Sequence, residues 1–453
     1  MRVGVRDYSE RPCSEWSAGA DNPGLREGNS VVTETEKAAA DPAIPNRTDR
    51  PDSLGGIEVL ASLSPDFDAD PYTAYRRLRE RGPVHQVVGP DRGVVWLVVG
   101  YEAAREAFSS PLLSRDWQRE YRQPGWSPPY ALNMLGNANM LMSDPPHHTR
   151  LRKLVAQEFT ARRVERMRGR VQEITDELLD RMTADGARRA DLIEAFASPL
   201  PMIVISELLG VPGLDRASFH AWSNETLAPT SPEAEKEAYE QVMPYLTGLI
   251  AAKRESPGED LLSALVHTVD EGGDRLTEDE LVSLAFLLLV AGHETTVNTI
   301  GNAVRALLAH PEQLAAVRAD PAGLAAGLVE ETLRYDGPVE TTTPRIALEE
   351  TEIGGVRVPR GAIVLITMAG ADHDPARFPD PERFDVRRRE ARSHLSFGHG
   401  IHFCLGAPLA RLEGEVALRA LLERCPDLTA DGEPGEWLPG MLIRGRRSLP
   451  VRW

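Results

Sequence analysis

The stretch "SFGHGIHFCLG", Ser396–Gly406, places three glycines, two histidines and a cysteine in eleven residues of a chain that has only three cysteines. The glycines at 398, 400 and 406 permit a tight turn, and a helix-like run begins near Pro408. A thiolate at Cys404 then lies close to a helix N-terminus, where the macrodipole and free N–H groups favour negative charge. Cys404 therefore reads as a poised ligand. The same residues admit a buried structural thiol, or zinc held by His399, His402 and Cys404. Structural zinc takes four ligands, commonly as two short-spaced pairs, and no second pair follows, because Cys425 stands alone in "LLERCPDL".

Outward from this loop the composition is globular, with 42% hydrophobic and 26% charged residues. Acids outnumber bases 69 to 51, a formal net charge of -18, which argues against nucleic acid as a partner. Cys13, Cys404 and Cys425 are too scattered for a disulfide framework and fit a reducing, cytoplasmic setting. The N-terminal residues lack the apolar stretch of a signal peptide. The longest apolar run, "LVSLAFLLLVAG" from Leu281, is about a dozen residues against the roughly 18 needed to span a bilayer, so no membrane anchor is expected.

Residues 1–55 are polar, rich in Gly and Pro and without periodicity, and read as a disordered tail that includes Cys13. From 56 to 453 a single large domain is expected, mainly α with a minor β component. Apolar residues recur every three or four positions in "DPYTAYRRLRER", "HTRLRKLVAQEF", "VERMRGRVQEITDELLDRM", "PLPMIVISELLG" and "EGEVALRALLERC". Strands are expected at "VVWLVV" (94–99) and "AIVLIT" (362–367). Two irregular stretches, 112–143 and 223–237, have the length of lids or binding loops. The run from Leu281 continues through "AGHETTVNTIGNAVRALL" as a helix of about 28 residues, about 42 Å long. It must be buried, yet it carries small Ala291 and Gly292 beside polar Glu294 and Thr295.

"FGHGIHFCLG" resembles, position by position, the haem-thiolate signature F-G-x-G-x-H-x-C-x-G of the cytochrome P450 family. "AGHETT" resembles that family's oxygen-activating segment, "EETLR" its E-x-x-R element and "PERF" its P-E-R-F element. The resemblance implies the cytochrome P450 fold, haem b with Cys404 as its axial thiolate, and oxygen activation by an acid and alcohol at Glu294 and Thr295. It implies propionate contacts from His148, Arg152, Arg345 and His402, with Phe397, Gly398 and Ala291 also against the haem. A buried clamp of Glu331, Arg334 and Arg383 would position the cysteine loop. One departure stands out: "ADHDP" (371–375) replaces the "ANRDP" frequent in such proteins, so the contacts of Asp372 and His373 are open.

The resemblance runs from about residue 57 to 453 and is nearest to soluble actinobacterial hydroxylases of macrolides. It implies a monooxygenase that hydroxylates or epoxidises a hydrophobic polyketide. Coupling or peroxygenation on the same fold, or a non-catalytic haem-binding relative, are the alternatives. Pocket positions would include Met142, Val290, Val339, Glu340 and Met441. Residues 121–143 contain no Asp or Glu, which favours a neutral substrate over one with a cationic amino sugar, although Glu340 and Glu225 are candidate counter-charges. No flavin or nicotinamide fingerprint and no iron–sulfur cysteine set is present, so electrons are expected from NAD(P)H through a ferredoxin and its reductase. Arg150, Arg152, Lys153, Arg162 and Arg163 form a basic cluster suited to an acidic ferredoxin. A monomer is expected.

Overall fold

Thr277 opens the longest helix of the structure. Its hydroxyl accepts the Glu280 N–H while the Glu280 carboxylate accepts the Thr277 N–H, a reciprocal capping box. The helix runs Glu278–Ala309, 32 residues or about 48 Å. It exceeds the sequence expectation by one turn because the cap lies ahead of the apolar run. This helix is long and apolar enough to cross a membrane, but 72% of its most apolar window is buried inside the fold. Its hydrophobicity serves a core.

That core surrounds it with the helices Arg168–Thr183, Pro199–Leu209, Pro232–Glu255, Pro321–Asp336 and Ala407–Arg424. In this computed structural model, the described residues are 58–59, 65–88, 93–116, 139–184, 186–212, 231–269 and 272–453, with Ser218, Ala221, Trp222 and Glu225 between. The tail expected over 1–55, and most of the irregular stretches at 112–143 and 223–237, lie outside them. The described ends of the first stretch are a short strand, Leu113–Ser114, and a single 3-10 turn, Met140–Met142.

Both expected strands form, as Val94–Val98 and Ile363–Ile366, and they pair in parallel with Trp96 opposite Val364. They are the centre of a six-stranded sheet. Val84–Val88 and then Glu58–Val59 extend it on one side, Arg345–Ala347 and then Leu113–Ser114 on the other. The expected helix over 164–182 is divided in two, Ala161–Arg166 and Arg168–Thr183, at Met167. The sheet matters for function because Arg345 begins one of its strands and Arg115 follows another.

Candidate active site

Gly398 and Gly400 both have φ +72°, a left-handed conformation that glycine adopts without steric cost. These turns fold the chain back so that the Cys404 N–H donates to the Phe397 carbonyl at 2.9 Å. After one 3-10 turn at Gly400–His402, the helix Ala407–Arg424 starts just beyond the cysteine. Burial pushes the Cys404 thiol above its ordinary value. The Gly406 N–H, Arg152, the Ala407 N–H and Arg411 pull it back toward the thiolate. The side chain is accessible by area yet strongly desolvated. Both hold when the sulfur faces a protein-walled recess instead of bulk water. Cys425, by contrast, is fully buried and its thiol is pushed up to about 11 by burial, an inert core residue. Among the described residues no three His, Cys, Asp or Glu side chains converge as a metal set.

Cations gather beside this loop. The rings of His148 and His402 lie 4.3 Å apart, and Arg152, one turn along from His148, donates to the Phe403 carbonyl at 2.8 Å. Arg345 is buried, stacks over Phe108 at 5.3 Å and donates to the Ala107 and Phe108 carbonyls, both at 3.3 Å. Arg115, also buried, donates to the Leu141 carbonyl at 3.3 Å. Burial, then Arg115, His148, Arg345 and Arg152, hold the His402 imidazole far below its usual range. Burial likewise lowers Arg345 to about 10. Both ring nitrogens of His148, Nε of Arg115, and Nε and one terminal nitrogen of Arg345 have no hydrogen-bond partner. Sequence reading missed Arg115; in "LLSRDW" it has no helical neighbour to mark it.

On the long helix, Ala291 is exposed in a mostly buried stretch. The Thr295 hydroxyl donates to the Ala291 carbonyl at 2.8 Å. Burial raises the Glu294 carboxyl above its usual range, against the opposing Asn298 amide. Asn298 also donates to the Glu294 carbonyl at 2.8 Å, and His293 Nδ1 is 3.8 Å from the Glu294 carboxylate. A Cβ on Gly445 would fall 1.7 Å from Asn298 Oδ1, so only glycine lets this C-terminal turn reach the helix. Neither Asn298 nor Gly445 is identifiable from local sequence.

Glu331 and Arg334 form a bidentate pair with both contacts at 2.8 Å, and both side chains are fully buried. The third guanidinium is not the one expected. Arg388 reaches Glu331 at 3.3 Å, whereas the Arg383 side chain is 65% exposed, 3.5 Å from Asp385, and gives the network only its backbone carbonyl. "PERFDVRR" turns after Phe384, which buries its ring and carries Arg388 back to the clamp.

With this geometry in hand, similarity to known proteins is decisive. The family described as Cytochrome P450 matches residues 232–321 and 324–435. Cytochrome P450 monooxygenase PikC of Streptomyces venezuelae is 56% identical over 396 residues, which cover 87% of this chain and 94% of PikC. The chain belongs to the cytochrome P450 family. The 6-deoxyerythronolide B hydroxylase of Saccharopolyspora erythraea is 48% identical, covering 86% of this chain and 97% of the hydroxylase. The solved structure of the tirandamycin C-bound P450 monooxygenase TamI aligns with a TM-score of 0.78 at 43% identity, covering 87% of this chain and 99% of TamI.

Membership in the P450 family implies haem, and the site fits it. Buried guanidinium and imidazole groups with unsatisfied nitrogens require acceptors. Among the described residues, Asp144 is the one carboxylate that Arg115 and Arg345 both feel, and its oxygens already take the Ser114 hydroxyl and the Arg115 backbone N–H. Two propionates would supply the missing anionic acceptors to Arg115, Arg345, His148 and His402, while Cys404 supplies the thiolate. Phe397 and Gly398 form the turn that sets Cys404.

Of the expected pocket residues, Met142 and Val290 are buried in apolar surroundings, and Val339 forms a bridge with Ile443. Glu340 and Met441 are buried as well: Glu340 accepts a short hydrogen bond from the Tyr75 hydroxyl, and Met441 packs in a cluster with Phe67 and Tyr75. The departure at 371–375 is ordered: His373 Nε2 meets the Tyr335 carbonyl at 2.8 Å, and Asp372 accepts the Leu395 N–H at 2.7 Å.

Proposed function

We propose that this P450 hydroxylates or epoxidises a neutral macrolactone or related polyketide, using electrons passed from NAD(P)H by a ferredoxin and its reductase. The observation that supports the substrate class is sustained similarity, along the whole catalytic domain, to proteins named 6-deoxyerythronolide B hydroxylase and mycinamicin IV hydroxylase/epoxidase. When bound, haem supplies the chemistry that splits dioxygen and transfers one oxygen atom, with the thiolate donating electron density. The chain's own residues do the rest. Arg115, Arg345, His148 and His402 orient the group by its carboxylates. Glu294, which holds its proton more tightly than an exposed glutamate, and the Thr295 hydroxyl are placed to pass protons beside the exposed Ala291 surface.

Neutrality of the substrate is supported by the acid-free 121–143 segment and by the commitment of Glu340 to Tyr75, which removes one candidate partner for an amino sugar. The basic docking cluster shrinks on inspection. Arg150 is paired with Asp274 and Glu280, both at 2.6 Å, and Arg163 with Glu158 at 3.2 Å, while Arg162 stays exposed.

The test is an optical titration of the ferric holoprotein with a neutral macrolactone and, separately, its amino-glycosylated counterpart. A high-spin shift with the neutral compound supports the proposal. A shift with the amino-sugar compound alone overturns the neutral-substrate reading and leaves the enzyme class standing.

A further inference from the structure

Asp372 is fully buried at the end of the Met368–Ala371 turn, and its carboxyl holds the two residues that lead into the cysteine loop. Oδ1 accepts the Leu395 N–H at 2.7 Å, and Oδ2 lies 3.1 Å from Ser396 Oγ. Counting hydrogens shows which atom carries the one between them. Ser396 Oγ has a single hydrogen, and the carbonyl of Leu333, 2.5 Å away at the end of helix Pro321–Asp336, is an acceptor with none to give. The serine hydrogen belongs to Leu333. With that hydrogen on Leu333, a full hydrogen bond between Ser396 and Asp372 requires the hydrogen of a protonated carboxyl.

Among the described residues no cation is placed to stabilise the ionised form by contact. Arg334 is the nearest, but its five N–H donors go to both Glu331 oxygens and to the carbonyls of Asp372, Pro381 and Arg383. The other charged or titratable groups on the packed elements are likewise engaged. Glu331 also meets Arg388. His394 accepts the Ser396 N–H on Nδ1 and faces Glu330 through Nε2, which fixes it as neutral. His373 bonds the Tyr335 carbonyl and Glu382. Asp374 accepts the Tyr101 N–H, Arg79 donates to the Gly370 carbonyl, and Tyr75 donates to Glu340. Burial accordingly pushes Asp372 up to about 8, with the Leu395 N–H and Arg334 opposing it.

We propose that Asp372 is a positioning residue that works as a neutral carboxylic acid, donating its own proton to Ser396 Oγ, and that loss of this proton loosens the loop that holds the Cys404 ligand. The route is short: Asp372 fixes Leu395 and Ser396, and the next residue, Phe397, offers the carbonyl that anchors the Cys404 N–H. The inference uses only the haem-thiolate ligation of the P450 family and is independent of the substrate reading.

The experiment follows the thiolate-ligated ferrous–carbonyl absorption of the full-length holoprotein from pH about 6 to about 10. Wild type is expected to lose that absorption through an alkaline transition near the Asp372 value. Asp372→Asn, whose amide offers a carbonyl acceptor and an NH2 donor group in the same shape, is expected to keep the absorption at neutral pH and to lack that transition. Ser396→Ala removes the acceptor of the proton and is expected to move the midpoint to lower pH. A wild-type midpoint in Asp372→Asn, failure of Asp372→Asn to load haem, or an unmoved midpoint in Ser396→Ala each overturns the proposal.

Discussion

Glu331 and Glu340 are nine positions apart, both buried, and held in opposite ways. Glu331 takes two contacts from Arg334, one from Arg388 and the Asp385 N–H, so its charge is fully surrounded by donors. Glu340 has the Tyr75 hydroxyl, with Arg444 nearby, and burial lifts it to about 7 against that help. The first region ties the 379–388 segment to the helix Pro321–Asp336. The second joins an N-terminal helix to the C-terminal turns. A buried carboxylate is stabilising when its shell is complete and a liability that varies with pH when it is not.

Substitutions can break this contrast. Glu331→Ala strands two arginines in the interior and is expected to cost about 3 to 5 kcal/mol and abolish haem retention; thermal unfolding together with haem content checks both, and intact haem binding would remove the clamp role. Arg388→Ala should cost about 1.5 to 3 kcal/mol as charged hydrogen bonds are lost. Arg383→Ala should fall within about 0.5 kcal/mol of wild type, and equal losses from the two arginines would show that the clamp is wrongly assigned. Gly445→Ala forces Asn298 aside and should cost about 1 to 3 kcal/mol, measured by denaturant unfolding.

Glu340→Gln tests the incomplete shell. A carboxyl raised in the folded state contributes full stability below its unfolded value near 4 and loses it as pH rises toward the folded value of about 7. The variant should therefore gain in Tm relative to wild type from pH about 4 to about 7, with the gap constant above that. A gap of the same size at every pH would mean that the residue does not titrate there. The smallest effect is kinetic: Arg162→Glu should leave Tm and peroxide-driven turnover unchanged while lowering ferredoxin-supported turnover. Equal loss in both assays would end the docking role.

The same contrast explains what the sequence could reveal. The cysteine loop, the "AGHETT" helix and the Glu331–Arg334 pair were legible because their partners are within a few residues or one helical turn. The fold class followed from apolar periodicity, and the strands at 94–98 and 363–366 from their β-branched runs. Arg115, Arg388 and the Tyr75–Glu340 pair were not legible, since each depends on chain returning from a distance. The Tyr75–Glu340 contact spans 265 residues.

The knot of Arg115, Arg345, His148 and His402 bears on how this enzyme is made in the cell. A chain that has folded without a dianionic ligand keeps two buried guanidiniums, Arg115 and Arg345, beside the unpartnered His148 imidazole, an arrangement that costs free energy until an anion arrives. Haem capture is then expected to stabilise the folded chain by mass action. Molecules that capture haem are withdrawn from proteolysis, so the steady-state amount of enzyme should follow iron and porphyrin supply even at constant transcription.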